Sequence, residues 1–212
     1  MLIEQLKKEI SKFLPVASQL VVQKFGKDPF LVLIFCLLSL RTKDPVAFQA
    51  ACRLFEVARD PKSLSLLDCH VIQKLIFPVG FYRKKAQTII AVSQIIAARY
   101  GGVVPSSYSD LIALPGVGPK TAHLVLAEGF SIPAICVDTH VHRLSNRLGL
   151  VKTKTVEQTQ IELEKVIPKD QWIEINRALV VLGQNICKPI SPLCSQCPLR
   201  NMCPRIGVGK SR

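Results

Sequence analysis

The sequence is short of acid, short of aromatic rings and without a long apolar run, and each shortage excludes something. Its 15 acidic residues face 28 basic ones, a formal net charge of +13 over 212 residues. An excess of that size attracts polyanions and argues against a cluster-bearing electron carrier, which has no use for it. Only 6% of residues are aromatic, while 49% are apolar. Leu, Ile, Val and Ala therefore supply the core, which leans helical and excludes a disordered chain. No convincing period-2 alternation appears, so strands are not expected. The longest apolar run, Phe30 to Leu40, is broken only by Ser39. It is well short of the ~20 residues that span a bilayer, so it reads as a buried core helix and no membrane partner is expected. Met1 to Lys8 alternate charged with apolar positions and do not form an export signal, so a cytoplasmic protein is expected. Repeats and low-complexity tracts are also lacking.

What is present is helical periodicity almost throughout, predicting an all-α fold with short connections. Residues 2–13 form an amphipathic stretch that stops at Pro15, and Phe30–Leu40 is apolar all round and therefore central. Asp44-Pro45 reads as N-cap and first position of a helix running to Ala58. Ser65 reads as the cap of a helix to about Ile76, and a further helix spans about 82–98. After the break at Tyr100-Gly-Gly-Val-Val-Pro105, Ser109 or Asp110 starts a short helix to Ala113. Others follow at about 119–128, 139–148, 155–166 and 171–186.

Four of the cysteines fall within seventeen residues: Cys187, Cys194, Cys197 and Cys203, with Pro198 and Pro204 directly after the last two. This is metal-ligand spacing, and a reducing compartment disfavours a disulfide knot. Spacing alone leaves Zn²⁺ and an iron–sulfur cluster equally open. The other four, Cys36, Cys52, Cys69 and Cys136, read as small buried hydrophobes.

The basic residues come in short groups, among them Arg41 with Lys43, Arg83-Lys84-Lys85, and Arg143 with Arg147. That distribution suits a folded nucleic-acid surface better than a disordered arm. Between two helices stands Leu114-Pro-Gly-Val-Gly-Pro-Lys-Thr-Ala122. Gly116 and Gly118 allow unusual backbone angles and close approach, Val117 packs back to fix the turn, and amides opening a helix hold a phosphate oxygen. A Gly-x-Gly alone is a weak signal. The full Leu-Pro-Gly-Val-Gly between helices, spanning about 109–128, matches a helix-hairpin-helix, which grips duplex backbone without reading sequence.

That hairpin, Val137-Asp-Thr-His-Val141 and the cysteine loop together resemble the endonuclease III family of DNA glycosylases. Fainter likeness at Leu38–Asp44 and Val79–Ala86 extends the resemblance over nearly the whole chain. It implies a [4Fe–4S] cluster on the four cysteines and two helical lobes flanking a DNA-binding cleft. One lobe would be a six-helix unit, residues 23–133, and the other would join residues 1–22 to 134–212. It further implies a monomer that acts on double-stranded DNA carrying a damaged base or abasic site.

Within that family pattern Lys120 would be the nucleophile that attacks the sugar C1′ and forms a Schiff base. An unperturbed lysine is neutral only about once in a few thousand molecules at pH 7, so the site must help it. Asp138 would deprotonate Lys120 and stabilise positive charge on the sugar. Each has a plainer reading, a phosphate contact for Lys120 and an N-cap for Asp138. Adenine-removing relatives lack the lysine and carry a further C-terminal domain, for which no room remains after Cys203. Oxidised or ring-reduced pyrimidines are thus the expected substrates. A uracil or thymine-mismatch glycosylase is the near alternative, and a non-catalytic DNA-binding module is the alternative from another class.

An extruded base leaves a gap that something must fill. The family's two filler positions hold Arg41 and Phe81, where Gln and Leu are commoner. Arg41 would fork onto the orphaned base and Phe81 would wedge into the stack, or they would be a phosphate contact and a core aromatic. The DNA-contacting set is completed by Leu114, Gly116, Val117, Gly118, Lys120, Thr121, His140 and Arg143. His123 and His142 read as structural.

Overall fold

The computed structural model describes Leu6, Lys8 and residues 10–212. All regular structure among these residues is helical, and none of the helices is long and apolar enough to cross a membrane. The chain divides into two compact units, Ala17–Ile132 and Pro133–Arg212 with the segment up to Val16.

In the first unit, α1 (Ala17–Phe25), α2 (Pro29–Ser39) and α3 (Asp44–Val57) are followed by α4 (Pro61–Ser65), α5 (Cys69–Ile76) and α6 (Tyr82–Arg99). Then come α7 (Tyr108–Ile112), α8 (Pro119–Leu124) and a π-helical turn, Val125–Gly129. Helix α2 is central because its sequence offers no polar face: every residue from Phe30 to Leu38 is buried. Each such side chain contributes roughly 1.5–3 kcal/mol by leaving water. Asp28 caps it, accepting from the Phe30 and Leu31 amides at 2.7 and 3.4 Å, and Pro29 opens it. Arg41 adopts φ 52° just past its end, which no helix continues. The π-turn crosses α2 closely, and Gly129 makes this possible, since a Cβ there would lie 2.9 Å from Pro29 Cα.

Several boundaries differ from the sequence expectation. The predicted limit after residue 22 falls instead between Val16 and Ala17. Residues on both sides of it belong to the single helix α1, whose Phe25 ring meets Phe55 edge-on at 5.3 Å. Lys43, not Asp44, is the N-cap of α3. Ser65 ends the unforeseen helix α4, and Asp68 caps α5 through the His70 amide at 2.7 Å. Ser107 caps α7, which starts at Tyr108, ahead of the expected Ser109 or Asp110. Cys36 and Cys136 are buried as predicted, but Cys52 and Cys69 are only half-buried.

The second unit is built on α9 (Thr139–Arg147), α10 (Val156–Val166) and α11 (Trp172–Asn185). Its core joins Val141 and Leu144 of α9, Leu163 of α10 and Ile175, Ala178, Leu179 and Leu182 of α11. Leu6 is buried in the same core. Leu6, Lys8 and Ile10 are helical, and the rest of the predicted helix up to residue 9 lies outside the described residues. A Thr hydroxyl ties α10 back to α9, His142 Nδ1 lying 2.6 Å from Thr159 Oγ1, and in the connection between them the Thr153 amide donates to Asn146 Oδ1 at 2.8 Å. His142 is structural, as is His123, which stacks on Tyr108 at 4.8 Å.

Candidate nucleic-acid interface and catalytic residues

The hairpin lies in the first unit between α7 and α8. Leu114 and Val117 are buried, and the Val117 amide donates to the Leu114 carbonyl at 3.1 Å, closing the turn on the core as its sequence predicts. The two glycines differ. Gly116 has φ 75°, and a Cβ on it would meet Thr88 Cγ2 at 2.9 Å. Gly118, the N-cap of α8, has ordinary φ −103° and open space where its Cβ would stand. The protein's own packing gives no reason for glycine at 118, whereas backbone approached by a ligand does. Pro119 opens α8, Lys120 follows and is exposed, and Thr121 is buried.

Arg41 and Phe81, far apart in sequence, come together beside the hairpin. The Arg41 guanidinium carbon lies 6.0 Å from the Phe81 ring centroid. Arg41, Phe81, Lys84, Lys85 and Gly116 line one groove. Phe81 is 63% exposed, so the core-aromatic reading does not hold. It also has φ 58°, a left-handed conformation that an aromatic residue adopts at a cost of roughly 1–3 kcal/mol. Arg53 steadies the approach to it, donating to the carbonyls of Leu75 at 2.7 Å and Phe77 at 2.6 Å.

Sequence reasoning missed Lys85, which it grouped with Arg83 and Lys84 as surface charge. Its side chain is buried, and its Nζ donates to the carbonyls of Leu38 at 2.7 Å and Leu40 at 2.5 Å, and to Thr42 Oγ1 at 3.2 Å. Burial lowers its pKa from the ordinary 10.5 to about 8. A signal was available, since residue 85 falls on the same helical stripe as the buried Ile89, Val92 and Ile96.

Asp138 belongs to the second unit, as N-cap of α9. Its Oδ1 accepts from the amides of His140 at 2.8 Å and Val141 at 2.9 Å. The helix runs from there into the cysteine loop through two arginines. Arg143 donates to the Cys187 carbonyl through Nε at 3.1 Å and Nη2 at 2.8 Å, and to Gly183 O and Thr139 O. Arg147 donates to the carbonyls of Lys188 and Pro189, both at 2.7 Å, and to Cys187 Sγ at 3.4 Å. The expected arginine stripe is therefore a clamp on the first cysteine rather than a row of outward charges. Arg143 Nη2 also lies 3.1 Å from His140 Nδ1, so the DNA contacts expected of both residues compete with this internal framework.

Cys187, Cys194, Cys197 and Cys203 line one cavity with Leu144, Leu182 and Ile186. Burial pushes the Cys197 thiol up; the Leu199 amide opposes this, and the sulfurs of Cys187, Cys203 and Cys194 reinforce it. Four neighbouring sulfurs are a donor set for a soft cationic centre. The four sulfurs share this one cavity, and four thiolates are the donor set that holds an iron–sulfur cluster.

Residues 34–169 match the model of the HhH-GPD superfamily base excision DNA repair protein, and residues 187–203 match the iron–sulfur binding domain of endonuclease III. Endonuclease III of Thermotoga maritima is 46% identical over 214 residues, covering 100% of this chain and 98% of that protein. The chloroplastic endonuclease III homolog 1 of Arabidopsis thaliana is 44% identical over 184 residues, covering 82% of this chain; the match spans only 48% of that relative. Among solved structures, a trapped endonuclease III–DNA covalent intermediate, an estranged-adenine complex, superposes with a TM-score of 0.78 at 33% identity. The match covers 89% of this chain and 93% of that one.

Proposed function

The chain belongs to the endonuclease III family of base excision DNA repair glycosylases, and from that premise we propose that it removes oxidised or ring-reduced pyrimidines, thymine glycol being typical, and then cuts the strand by β-elimination. The observation that carries this reading is Lys120, an exposed amine on the first turn after the hairpin. A structural relative caught as a covalent intermediate with DNA supports a route through an amine.

The hairpin amides around Gly116–Gly118 hold the phosphate backbone, where Gly118 leaves room for it. Extruding the lesion nucleotide costs a few kcal/mol, least for a damaged base. Phe81 stacks into the vacated step and Arg41 donates to the orphaned base, with guanine its best acceptor. Because Lys120 is exposed in the protein itself, the bound DNA is what excludes water from its amine.

The Lys120 nitrogen then attacks C1′ and the glycosidic C–N bond breaks, releasing the base. Asp138 takes the lysine proton and stabilises the positive charge that develops on the sugar. The C1′–O4′ bond then breaks, O4′ taking up a proton, and the opened sugar is held as an iminium that makes the C2′ proton acidic. Its loss expels the 3′ phosphate, and water returns Lys120 to the free amine.

The [4Fe–4S] cluster of the family fits Cys187, Cys194, Cys197 and Cys203 and supplies a cross-link that folds a short loop. In this reading the loop presents Lys188, Arg200 and Arg205 to DNA.

Borohydride trapping on a duplex with one thymine glycol tests the proposal. A covalent protein–DNA adduct that disappears in Lys120→Gln, with duplex binding retained, is the expected result. Binding without an adduct in the wild type would point to another lesion, a monofunctional enzyme or a binding module.

A further inference from the structure

We propose that Lys85 is the positioning residue that locks the Arg41 turn and the Phe81 turn together, so that both fillers enter the duplex as one unit. The proposal rests on the reading of Arg41 and Phe81 as gap fillers, and it is carried by a hydrogen-bond network that closes without remainder.

An ammonium group has three protons, and Lys85 faces three acceptors: Leu38 O, Leu40 O and Thr42 Oγ1. The two carbonyls come from the end of α2, where helical partners have run out. Thr42 is the second link. Its hydroxyl accepts from Lys85 Nζ and from the Gly80 amide at 3.1 Å, and it donates to Leu40 O at 3.3 Å. Both lone pairs and the proton are thus engaged. Gly80 lies directly before Phe81, and a Cβ on it would sit 2.8 Å from the Arg41 carbonyl oxygen. The two turns therefore touch through backbone, which only glycine permits. Lys85 itself starts from the Phe81 side, its amide donating to the Phe81 carbonyl at 3.0 Å.

The arrangement explains why two non-glycine residues hold left-handed backbone side by side, Arg41 at φ 52° and Phe81 at φ 58°. Such conformations persist only where the surroundings over-determine them. It also explains why a buried amine is kept on the core stripe of α6. A methionine there would pack but leave three oxygens without their donor, and a neutral amine has only two protons for three acceptors. Among the groove-lining residues the charged neighbours of Lys85 are Arg41 from its turn and Lys84 from its own helix; α2 and the hairpin contribute Leu37 and Gly116, which do not titrate. Burial of the amine brings the Lys85 pKa to about 8.

The test uses a duplex with a tetrahydrofuran abasic-site analogue opposite 2-aminopurine, which needs neither base removal nor a Schiff base. Binding of wild type unstacks the 2-aminopurine and raises its fluorescence. Arg41→Ala and Phe81→Ala remove the rise. Lys85→Met lowers it about fivefold or more by freeing both strained turns, while affinity for undamaged duplex stays near wild type. Lys85→Arg restores the rise. In wild type the signal fades as Lys85 loses its proton, with a midpoint at about 8. Lys85→Arg shows no such midpoint. A full rise in Lys85→Met, with the rise lost in Phe81→Ala and Arg41→Ala, would overturn the role of Lys85 alone. A full rise in all three would overturn the filler reading and this proposal with it. Should Lys85→Met fail to fold, identical pH profiles for wild type and Lys85→Arg would sink the proposal.

Discussion

A Cβ placed on Gly183 would lie 2.7 Å from Nδ1 of His140 and 2.8 Å from its Cβ. Helix α11 thus passes against the first turn of α9 at a distance that no other residue allows. Alanine is normally favoured over glycine inside a helix by about 1 kcal/mol. Here the order reverses, because His140 must shift and give up its contact with Arg143. Gly183→Ala is expected to destabilise the protein by roughly 1–3 kcal/mol through overpacking. Urea unfolding measures this, and a variant as stable as wild type would show that the histidine moves without cost.

The clamp on the cysteine loop makes a separable prediction. Cys194→Ser removes a ligand, so the visible absorbance of the iron–sulfur centre is lost and DNA binding weakens. Arg147→Met keeps all four sulfurs but deletes the bonds to Cys187 Sγ, Lys188 O and Pro189 O. At about 1 kcal/mol for each hydrogen bond, the loop loosens while the ligands remain. The centre should therefore assemble and then bleach faster than in wild type under a chelator, with the far-ultraviolet helical signal largely kept. Equal bleaching rates would remove Arg147 from the support of the centre.

The all-helical class, the central helix at Phe30–Leu38 and the hairpin were legible in the sequence because each rests on a local pattern. A run with no polar face, Asp28-Pro29 before it, and Leu-Pro-Gly-Val-Gly between helices all act over a few residues. The same local reading missed α4, a five-residue helix that Asp60 caps and Pro61 opens. It also left Arg143 and Arg147 as a stripe on one helix face, open to a phosphate contact or to solvent. Helical spacing showed that they share a face, but only the return of Cys187 onto that face decides what they hold. Lys85 was hidden for a related reason. A lysine after two other cations looks like surface charge until two carbonyls at the end of α2 and the Thr42 hydroxyl are seen to take its protons.

Lys85 also leaves a mark on stability. Its folded pKa, about 8, lies below the ordinary 10.5 expected of the unfolded chain. Between those values the unfolded chain binds the proton more tightly than the native one. Unfolding then takes up protons, so this group makes stability rise with pH from about 8 to 10.5 and leaves it flat below. The direction is opposite to the loss of groove order predicted over the same range, because the native fold bears the desolvation of the charged amine. Denaturant midpoints measured across this window for wild type and Lys85→Met would separate the effect, the rise being absent from the difference curve only if Lys85 does not titrate there.

Asp138 carries two roles that substitution can divide. As N-cap of α9 it needs one acceptor oxygen for the His140 and Val141 amides. Asparagine supplies that oxygen and alanine does not, so Asp138→Ala should cost roughly 0.5–2 kcal/mol of stability and Asp138→Asn almost none. As the group that takes the Lys120 proton it needs a negative charge, which neither variant has. Both should then lose base removal by about 10²–10⁴-fold, the usual range for a positioned acid–base group. Single-turnover excision and thermal unfolding on the two variants form the test. A stable Asp138→Asn enzyme with wild-type excision would leave Asp138 as a helix cap and nothing more. A stable but inactive one would assign the carboxylate charge to the chemistry, since the helix it caps would be intact.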